Sequence, residues 1–548
     1  MATGILGQLQ QLAGPLTASH FILGFMAVGF LLLMVDYTRV LLLRRKMPPG
    51  PFPFPIIGNI HLLPDRKPWI YFEQLAKEYN SPVITFWMGR RPNVWLNDAK
   101  SASDLFDKRA ATFSSRPRMV VFGELAFGQS SLVSMYYGDR FRVHRKLTHM
   151  GIGMQQVRGY QNIQSDENKV VLYDLLTDSE NYVAHLERYA ASVVSIIGFG
   201  RRISNVTDPI ITEVIYLMQR AAEHNVPGNS FPMIMESFPI LAKFPRWLAP
   251  WMKNMGKPRA KNFFYALAEE AAHSDEGNDN FAKKLFELAP KYNLSEMELS
   301  TLSGSLFGAG SDTSSSTLIT FLLACCAFSE VLPKAWEELD RVVGSQRSPN
   351  FEDEPNLVYV KAFAKEVLRW RSVAIIGGQP HAPIQDEVYK GWLIPKNTWT
   401  QGNIWAIHRN ERDFPDPDRF NPERFLKDSP YYRPFPNERG YMTFGWGRRV
   451  CAGQALAEQG TFISVARLLW AFNIRKAIDE AGKEIPVDIF SYTDGLNIRP
   501  NPFKCRITPR NEEIKATIQR EGKEALDNLS IYNGETKFRI STYNLENK

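Results

Sequence analysis

The segment Phe444–Gly453, FGWGRRVCAG, places one cysteine in a loop of glycines, arginines and aromatic residues. The chain has four cysteines, and the other three lie far from Cys451 along the sequence. Cations beside a cysteine favour its thiolate form, which acts as a nucleophile or as a metal ligand. A nucleophilic cysteine needs a histidine base, and no histidine lies within forty residues of Cys451. The loop therefore favours a metal ligand.

The glycines and arginines of this loop suit a flat, anionic cofactor. Gly445, Gly447 and Gly453 allow the backbone to approach such a group closely, because they carry no side chain. Arg449 can reach an anionic edge of the same group. Haem held by one thiolate fits this pattern, since the anionic sulfur pushes electron density toward the iron and favours O–O cleavage.

The spacing F-x-x-G-x-R-x-C-x-G between Phe444 and Gly453 resembles the haem-ligand signature of the cytochrome P450 family. The resemblance implies that Cys451 is the axial ligand of the iron of haem b. It also implies that the loop cradles the cofactor. The loop residues assigned to cofactor binding are Phe444, Gly445, Arg449, Cys451 and Gly453.

Two further segments match the family in the expected order. In KEVLRW, Glu366 and Arg369 are three residues apart, so they share one helix face and can pair. In FNPERF, Arg424 matches the third member of the family's Glu-Arg-Arg network. The resemblance implies that this network braces the core beside the cysteine loop, in a structural role.

The segment FGAGSDTSSS, residues 307–316, is similar to the oxygen-activating helix of the family. There, Gly310 would let O2 and substrate approach, and the Thr313 hydroxyl can bond the carbonyl four residues back, opening the turn locally. The resemblance implies that Asp312 and Thr313 are catalytic and relay protons for oxygen activation. A phosphate loop is disfavoured, because no G-x-x-x-x-G-K-[ST] motif is present.

Several cations are expected to bind the two haem propionates. Arg145 lies in YGDRFRVHRK, where Phe141 replaces the family's tryptophan, so one N–H donor is missing. His381 in PHAP and Arg116 in FSSRP stand where related enzymes bind propionates. Arg449 of the cysteine loop is the fourth candidate.

The N-terminus predicts a membrane anchor. The run Leu16–Val35 carries no acidic or basic side chain except His20, and such a helix spans about 30 Å. Basic residues begin only at Arg39, so the positive-inside rule places the N-terminus in the lumen and the remainder in the cytosol. A cleaved signal would carry its positive charge before the apolar run. We expect a single-pass endoplasmic reticulum protein.

The stretch after the anchor holds five prolines between Pro48 and Pro55, which predict a stiff extended spacer. Alternating residues at 81–97 predict a strand pair. The tail after Arg510 predicts a surface helix on an appended extension. The expected boundaries are a luminal N-terminus at 1–15, a transmembrane anchor at 16–38, a linker at 39–55, a catalytic domain at 56–510 and a C-terminal extension at 511–548.

Composition excludes several classes of protein. The 65 basic and 58 acidic residues leave a net charge of +7, scattered along the chain, which argues against a nucleic-acid partner. The cysteines form no C-x-x-C pair, which argues against structural zinc. A length of 548 residues alone suggests several domains, but the family landmarks indicate one large domain. The expected fold class is mainly α with small β-sheets, the cytochrome P450 fold, preceded by one transmembrane helix.

The resemblance implies a haem-thiolate monooxygenase that inserts one oxygen atom of O2 into a lipophilic small molecule. Too few residues follow Cys451 for a fused flavin reductase, so electrons must come from NADPH–cytochrome P450 reductase, with cytochrome b5 as a further candidate donor. Basic residues such as Lys146, Arg448 and Arg433 could steer an acidic flavin domain. Two other activities remain open, a haem-thiolate isomerase or dehydratase and a detoxifying oxidation of xenobiotics. A non-catalytic haem sensor is a further alternative.

Family analogy places the substrate pocket at 118–135, around Leu306, at 373–378 and at 492–496. These segments are apolar, which favours a lipophilic substrate. The spacer and the ending DGLNIRPNPFKCRITPR resemble fungal microsomal members, including those similar to O-methylsterigmatocystin oxidoreductase. That resemblance suggests fungal secondary metabolism.

Overall fold

Helices form most of the architecture, with small sheets among them. The computed structural model describes residues 18–223, 235–236, 239–244, 258–274 and 279–534. Within these residues the α-helices are α1 (Ala18–Arg44), α2 (Pro68–Glu78), α3 (Ala99–Ala102), α4 (Ala110–Phe113), α5 (Asp139–Ile152), α6 (Met154–Gly159), α7 (Gln161–Thr177), α8 (Tyr182–Phe199), α9 (Pro209–Glu223), α10 (Pro258–Ala272), α11 (Phe281–Tyr292), α12 (Glu296–Ala327), α13 (Leu332–Val342), α14 (Val358–Trp370), α15 (Ile404–His408), α16 (Gln454–Ala471) and α17 (Glu512–Leu529).

The strands are short and pair into small sheets. They are β1 (Val83–Met88), β2 (Arg91–Leu96), β3 (Glu387–Tyr389), β4 (Trp392–Ile394), β5 (Trp399–Gly402), β6 (Phe472–Lys476) and β7 (Cys505–Pro509). The predicted strand pair is present as β1 and β2, which are antiparallel, and β5 joins β2 in parallel. β3 pairs with β4 and β6 pairs with β7, both antiparallel. The predicted fold class, mainly α with small sheets, is confirmed.

Helix α12 is the longest of the described helices, with 32 residues, and it packs against α8, α10 and α16. It begins at a capping box, in which the Ser295 hydroxyl accepts from the Glu298 N–H and the Glu298 carboxylate accepts from the Ser295 N–H. Most of its side chains are buried, as expected for a helix with apolar residues on every side. It therefore forms a rigid axis for the site.

Helix α5 is fastened to the start of α12 through Glu298. Arg140 donates to both carboxylate oxygens, and His144 Nε2 lies 2.9 Å from Oε1. Burial alone would raise the pKa of Glu298, but hydrogen bonds from Arg140, Ser295 and His144 lower it to about 2. This clamp fixes the helix that carries Arg145.

The C-terminal helix is not the appended surface helix that the sequence predicts. α17 packs along α7, and its residues Ile514, Ile518 and Leu529 are almost completely buried. Glu521 accepts hydrogen bonds from the N–H and the hydroxyl of Ser348. Residues 512–529 thus belong to the core of the catalytic body, because their apolar stripe packs against α7.

The N-terminal helix is longer than predicted. α1 continues to Arg44, past the expected end at residue 38 and into the expected linker, because no proline occurs between Pro15 and Pro48. One apolar helix, Ser19–Arg44, is long enough to cross a membrane among the described residues. Its end contacts the body directly, since Asp36 pairs with Arg90 at 3.0 Å. Tyr37 also donates to the Pro53 carbonyl at 2.9 Å. The predicted luminal segment 1–15 lies outside the described residues.

Candidate active site

The cysteine loop is held in a conformation that needs glycine. Gly445 and Gly447 have φ values of +75° and +52°, in the left-handed region that side chains disfavour. A Cβ on Gly447 would lie 2.2 Å from the carbonyl oxygen of Phe106. Its N–H donates to Asp107 at 2.8 Å, and the Cys451 N–H donates to the Phe444 carbonyl at 2.8 Å. These contacts fix the direction in which the thiol points.

The Cys451 side chain keeps accessible surface although protein atoms surround it. Burial raises the pKa of the thiol, while the Gly453 N–H and the Arg145 charge lower it. It also lies just before the N-terminus of α16, where the helix dipole favours negative charge. A bound metal cation offsets the desolvation of the sulfur, because a coordinating thiol is deprotonated outright. The environment therefore fits a thiolate ligand.

Arg449 occupies a crowded position beside two other arginines. Its guanidinium donates to the carbonyls of three residues and stacks 3.7 Å from the ring of Phe141, which therefore contributes a π-face where the family has an N–H donor. Burial, with repulsion from Arg116 and Arg145, lowers the pKa of Arg449 to about 8. The carbonyl partners are those of Ser114 (2.6 Å), Leu132 (3.0 Å) and Met135 (2.7 Å).

Arg116, like Arg449, is buried and donates to backbone carbonyls. It is 7% exposed and donates to the carbonyls of Val133 at 2.9 Å and Gln379 at 2.5 Å. Burial lowers its pKa to about 9. Within the described residues, no ion pair is recorded for Arg116, Arg145 or Arg449. Three gathered cations without acidic partners fit a doubly anionic group such as the two haem propionates.

His381 lies next to these arginines but is held differently. Its Nδ1 donates to the Phe113 carbonyl at 2.8 Å, and its ring stacks on Phe106 at 4.1 Å. Burial, and then the charge of Arg116, lowers the pKa of His381 well below its usual value. The neutral ring presents an acceptor at Nε2, so donation to a propionate requires protonation, which a neighbouring anion favours.

One stripe of α12 stays accessible although the helix is otherwise buried. Ser305 and Ala309 are exposed and Thr313 is partly exposed, at the four-residue spacing of one helix face. The Thr313 hydroxyl donates to the Ala309 carbonyl at 2.6 Å, yet the helix continues unbroken, so the expected opening of the turn is absent. The Asp312 carboxylate accepts from Asn497 Nδ2 at 3.2 Å.

The structure corrects the interpretation of Gly310. A Cβ at this position would lie 2.5 Å from Cγ1 of Val194 on α8. Gly310 therefore allows two helices to pack closely, and Ala309 is the small residue on the accessible stripe. Leu306, which was expected to border the pocket, is likewise buried toward α8, near Gly198.

Glu366, Arg369 and Arg424 form a buried network. Glu366 and Arg369 make a two-pronged ion pair at 2.6 and 2.9 Å, with both side chains fully buried. Arg424 Nε lies 3.4 Å from the Glu366 carboxylate. Arg369 also donates to the carbonyls of His408 and Pro417, which connects α14 to the segment before the cysteine loop.

A basic groove of about 440 Å³ opens beside the cysteine loop. Arg433, predicted to take part, is not among its lining residues, whereas Arg142 and His149 were not anticipated. Both residues lie on α5 at spacings of three or four residues from Arg145 and Lys146, so all four share one helix face. This spacing is visible in the sequence. The lining residues are Tyr137, Phe141, Arg142, Arg145, Lys146, His149, Gly447 and Arg448.

The exposed cysteine, and the arginines that have no ion pair among the described residues, fit a flat, doubly anionic metal cofactor held through sulfur. A family model described as "Cytochrome P450" matches residues 48–504. A cytochrome P450 monooxygenase of Armillaria gallica is 34% identical over 504 residues, covering 89% of this chain and 95% of the relative. Cytochrome P450 monooxygenase 58 of Postia placenta is 33% identical and covers 96% and 100%, respectively.

A third relative, cytochrome P450 monooxygenase virE of Hypocrea virens, is 34% identical over 87% of this chain and 88% of its own length. The chain belongs to the cytochrome P450 family. It is an oxidoreductase of the monooxygenase type, with haem b as its cofactor. Like other members it uses O2 and a redox partner and acts on a small molecule.

Proposed function

We propose that this monooxygenase inserts oxygen into a lipophilic small molecule, and that the Cys451 thiolate would hold the haem iron. The observation that carries the proposal is the exposed Cys451 beside Arg145, which together with Arg116 lies close to Arg449. The three arginines would bind the propionates, and His381 would join them when protonated. Phe444, Gly445 and Gly453 would line the cofactor near the sulfur.

When bound, haem b supplies the reduction and cleavage of O2 that lets one oxygen atom enter an unreactive bond. The residues of this chain relay protons and position the reacting groups. The Thr313 hydroxyl directs its hydrogen to the Ala309 carbonyl, which leaves its oxygen lone pairs free to accept a hydrogen bond. Asp312, on the adjacent position of α12, would relay the protons that the reaction consumes. Both residues act as catalytic groups in this proposal.

The substrate is expected to be lipophilic and to belong to fungal secondary metabolism. The pocket segments at 118–135 and 373–378 are rich in apolar residues, which supports the first part. The fungal source of the three relatives supports the second. Helix α1 would anchor the protein in the endoplasmic reticulum membrane, where lipophilic substrates concentrate.

Incubation with NADPH, its cytochrome P450 reductase and ¹⁸O2 tests the activity. Lipophilic metabolites that shift the haem spectrum are the compounds to assay. We expect a product that carries one ¹⁸O atom and forms only when O2, NADPH and reductase are all present. A product of unchanged mass, formed without O2 or reductase, would contradict oxygen insertion and support the isomerase or dehydratase alternative.

The basic groove beside the cysteine loop is the proposed docking surface for the reductase. Lys146 and Arg448 are exposed cations there, and complementary charge mainly accelerates encounter with an acidic partner. The charge reversals Lys146→Glu and Arg448→Glu are expected to slow haem reduction by reductase about tenfold at low salt. The difference should shrink as salt rises.

Stopped-flow reduction measures this effect, and spectral titration measures substrate affinity. Lys523→Glu on α17, an exposed site away from the groove, is the matched control and should leave reduction unchanged. Equal losses in reduction rate and substrate affinity would count against this docking surface.

A further inference from the structure

We propose that Asn497 is a positioning residue, which holds the Asp312 carboxylate in place for proton delivery. The inference rests on the proposed function, in which Asp312 is a proton donor. Among the described residues, Asn497 is the one side chain recorded as a partner of the Asp312 carboxylate, at 3.2 Å from Nδ2 to Oδ2. Thr313 does not hold it, because the Thr313 hydroxyl is engaged by the Ala309 carbonyl.

Asn497 lies on a well-fastened hairpin, defined here as residues 492–500. Tyr492 and Pro500 form a bridge at its base, and the Ile498 N–H donates to the Val373 carbonyl at 2.9 Å. Arg499 pairs with Glu187 on α8 at 2.8 Å. The hairpin is thereby connected both to α8 and to the segment at 373–378. These connections fix the position from which Asn497 reaches α12.

The tip of the hairpin supports a close approach of Asn497 to α12. Gly495 has a φ of +151°, and a Cβ there would lie 3.2 Å from the Asn497 carbonyl oxygen. A side chain at Gly495 would therefore press on the backbone that carries the amide. The glycine keeps this turn compact and keeps Asn497 in register with Asp312.

An amide is well suited to this task. It donates a hydrogen bond at every pH and carries no titratable proton, so Asp312 remains the acid of the pair. One carboxylate oxygen is occupied by Asn497, which leaves Oδ1 for the transferred proton.

Asn497→Ala tests this inference in the full-length, haem-loaded protein. We expect the fraction of NADPH electrons recovered in product to fall about tenfold, with the remainder released as hydrogen peroxide, because small misplacements of a catalytic group have large kinetic effects. The solvent deuterium isotope effect on product formation should rise. Substrate affinity and the carbon monoxide spectrum should be unchanged.

A double-mutant cycle separates positioning from general structural damage. In an Asp312→Asn background, Asn497→Ala should cause no further loss of coupling, since its effect acts through the carboxylate. The unfolding midpoints of the two single variants and the double variant should also be non-additive. Asn501→Ala is the control, because Asn501 donates to the Ser491 hydroxyl at 3.0 Å just outside the base of the hairpin, and not to Asp312.

The outcomes distinguish a failure of the proposed role of Asp312 from a failure of the proposed role of Asn497. If Asp312→Asn leaves coupling and the isotope effect unchanged, Asp312 is not the proton donor, and both the relay and this inference are wrong. If Asp312→Asn lowers coupling but Asn497→Ala does not, only the role of Asn497 is overturned. An equal loss from Asn501→Ala, or a full Asn497→Ala loss in the Asp312→Asn background, would also overturn it.

Discussion

The variant Cys451→Ala is expected to lose all monooxygenase activity and the red-shifted Soret band of the reduced, carbon monoxide-bound protein. The band depends on a thiolate ligand, which Cys451 would supply to the haem iron, and alanine has no donor atom. The loop itself should keep its conformation, since its bonds run through the backbone of Phe444 and Gly447. Any haem that still binds should give a Soret band at shorter wavelength.

Cys505→Ala is the matched control for this experiment. Cys505 is a partly exposed free cysteine on β7, distant in sequence from the loop. The control should keep both the band and the activity. A Cys451→Ala protein with an unchanged band would show that another residue holds the iron, and the proposed site would then be wrong.

The second large effect is expected at Glu366. Glu366→Gln removes the carboxylate with which the buried guanidinium groups of Arg369 and Arg424 pair. Breaking a buried ion pair on one side typically costs about 3–5 kcal/mol, because the remaining charge stays desolvated. That loss is a large fraction of the stability of a typical domain. We expect a strongly reduced yield of folded protein and a much lower unfolding midpoint.

Denaturant unfolding followed by circular dichroism measures this loss. Glu423→Gln is the control, because Glu423 lies beside Arg424 but pairs with Lys334 at the surface. Surface pairs contribute about 0–1 kcal/mol, so this variant should unfold almost like the parent protein. Similar losses in both variants would mean that the buried network does not brace the core.

Local spacing carried most of what the sequence could predict about the site. The cysteine signature occupies ten adjacent residues, so its chemistry is visible without knowledge of the fold. The pairing of Glu366 with Arg369 follows from helix geometry, as does the bond from Thr313 to Ala309. The enzyme class, the cofactor and the helical fold predicted in this way are confirmed. The individual roles of the site residues stay predictions.

Errors arose where the environment of a residue comes from a distant segment. Gly310 was assigned to the path of O2, but Val194 on α8 occupies that side. The sequence of helix α17 predicts a surface appendage, because nothing in it shows that α7 covers its apolar stripe. Asn497 went unnoticed, since it belongs to no motif and lies far from Asp312 in the chain.

By itself, the amino-acid sequence determined that this chain is a haem-thiolate monooxygenase with an apolar N-terminal helix. The reason is that the cysteine signature and the apolar run of the N-terminal helix each consist of neighbouring residues. Only the tertiary structure decided that Arg116, Arg145 and Arg449 gather without acidic partners in the described part of the chain, and that Asp312 accepts a hydrogen bond from the 492–500 hairpin. Those relations depend on which distant elements pack together, and the balance of burial and charge that they create exists only in the folded chain.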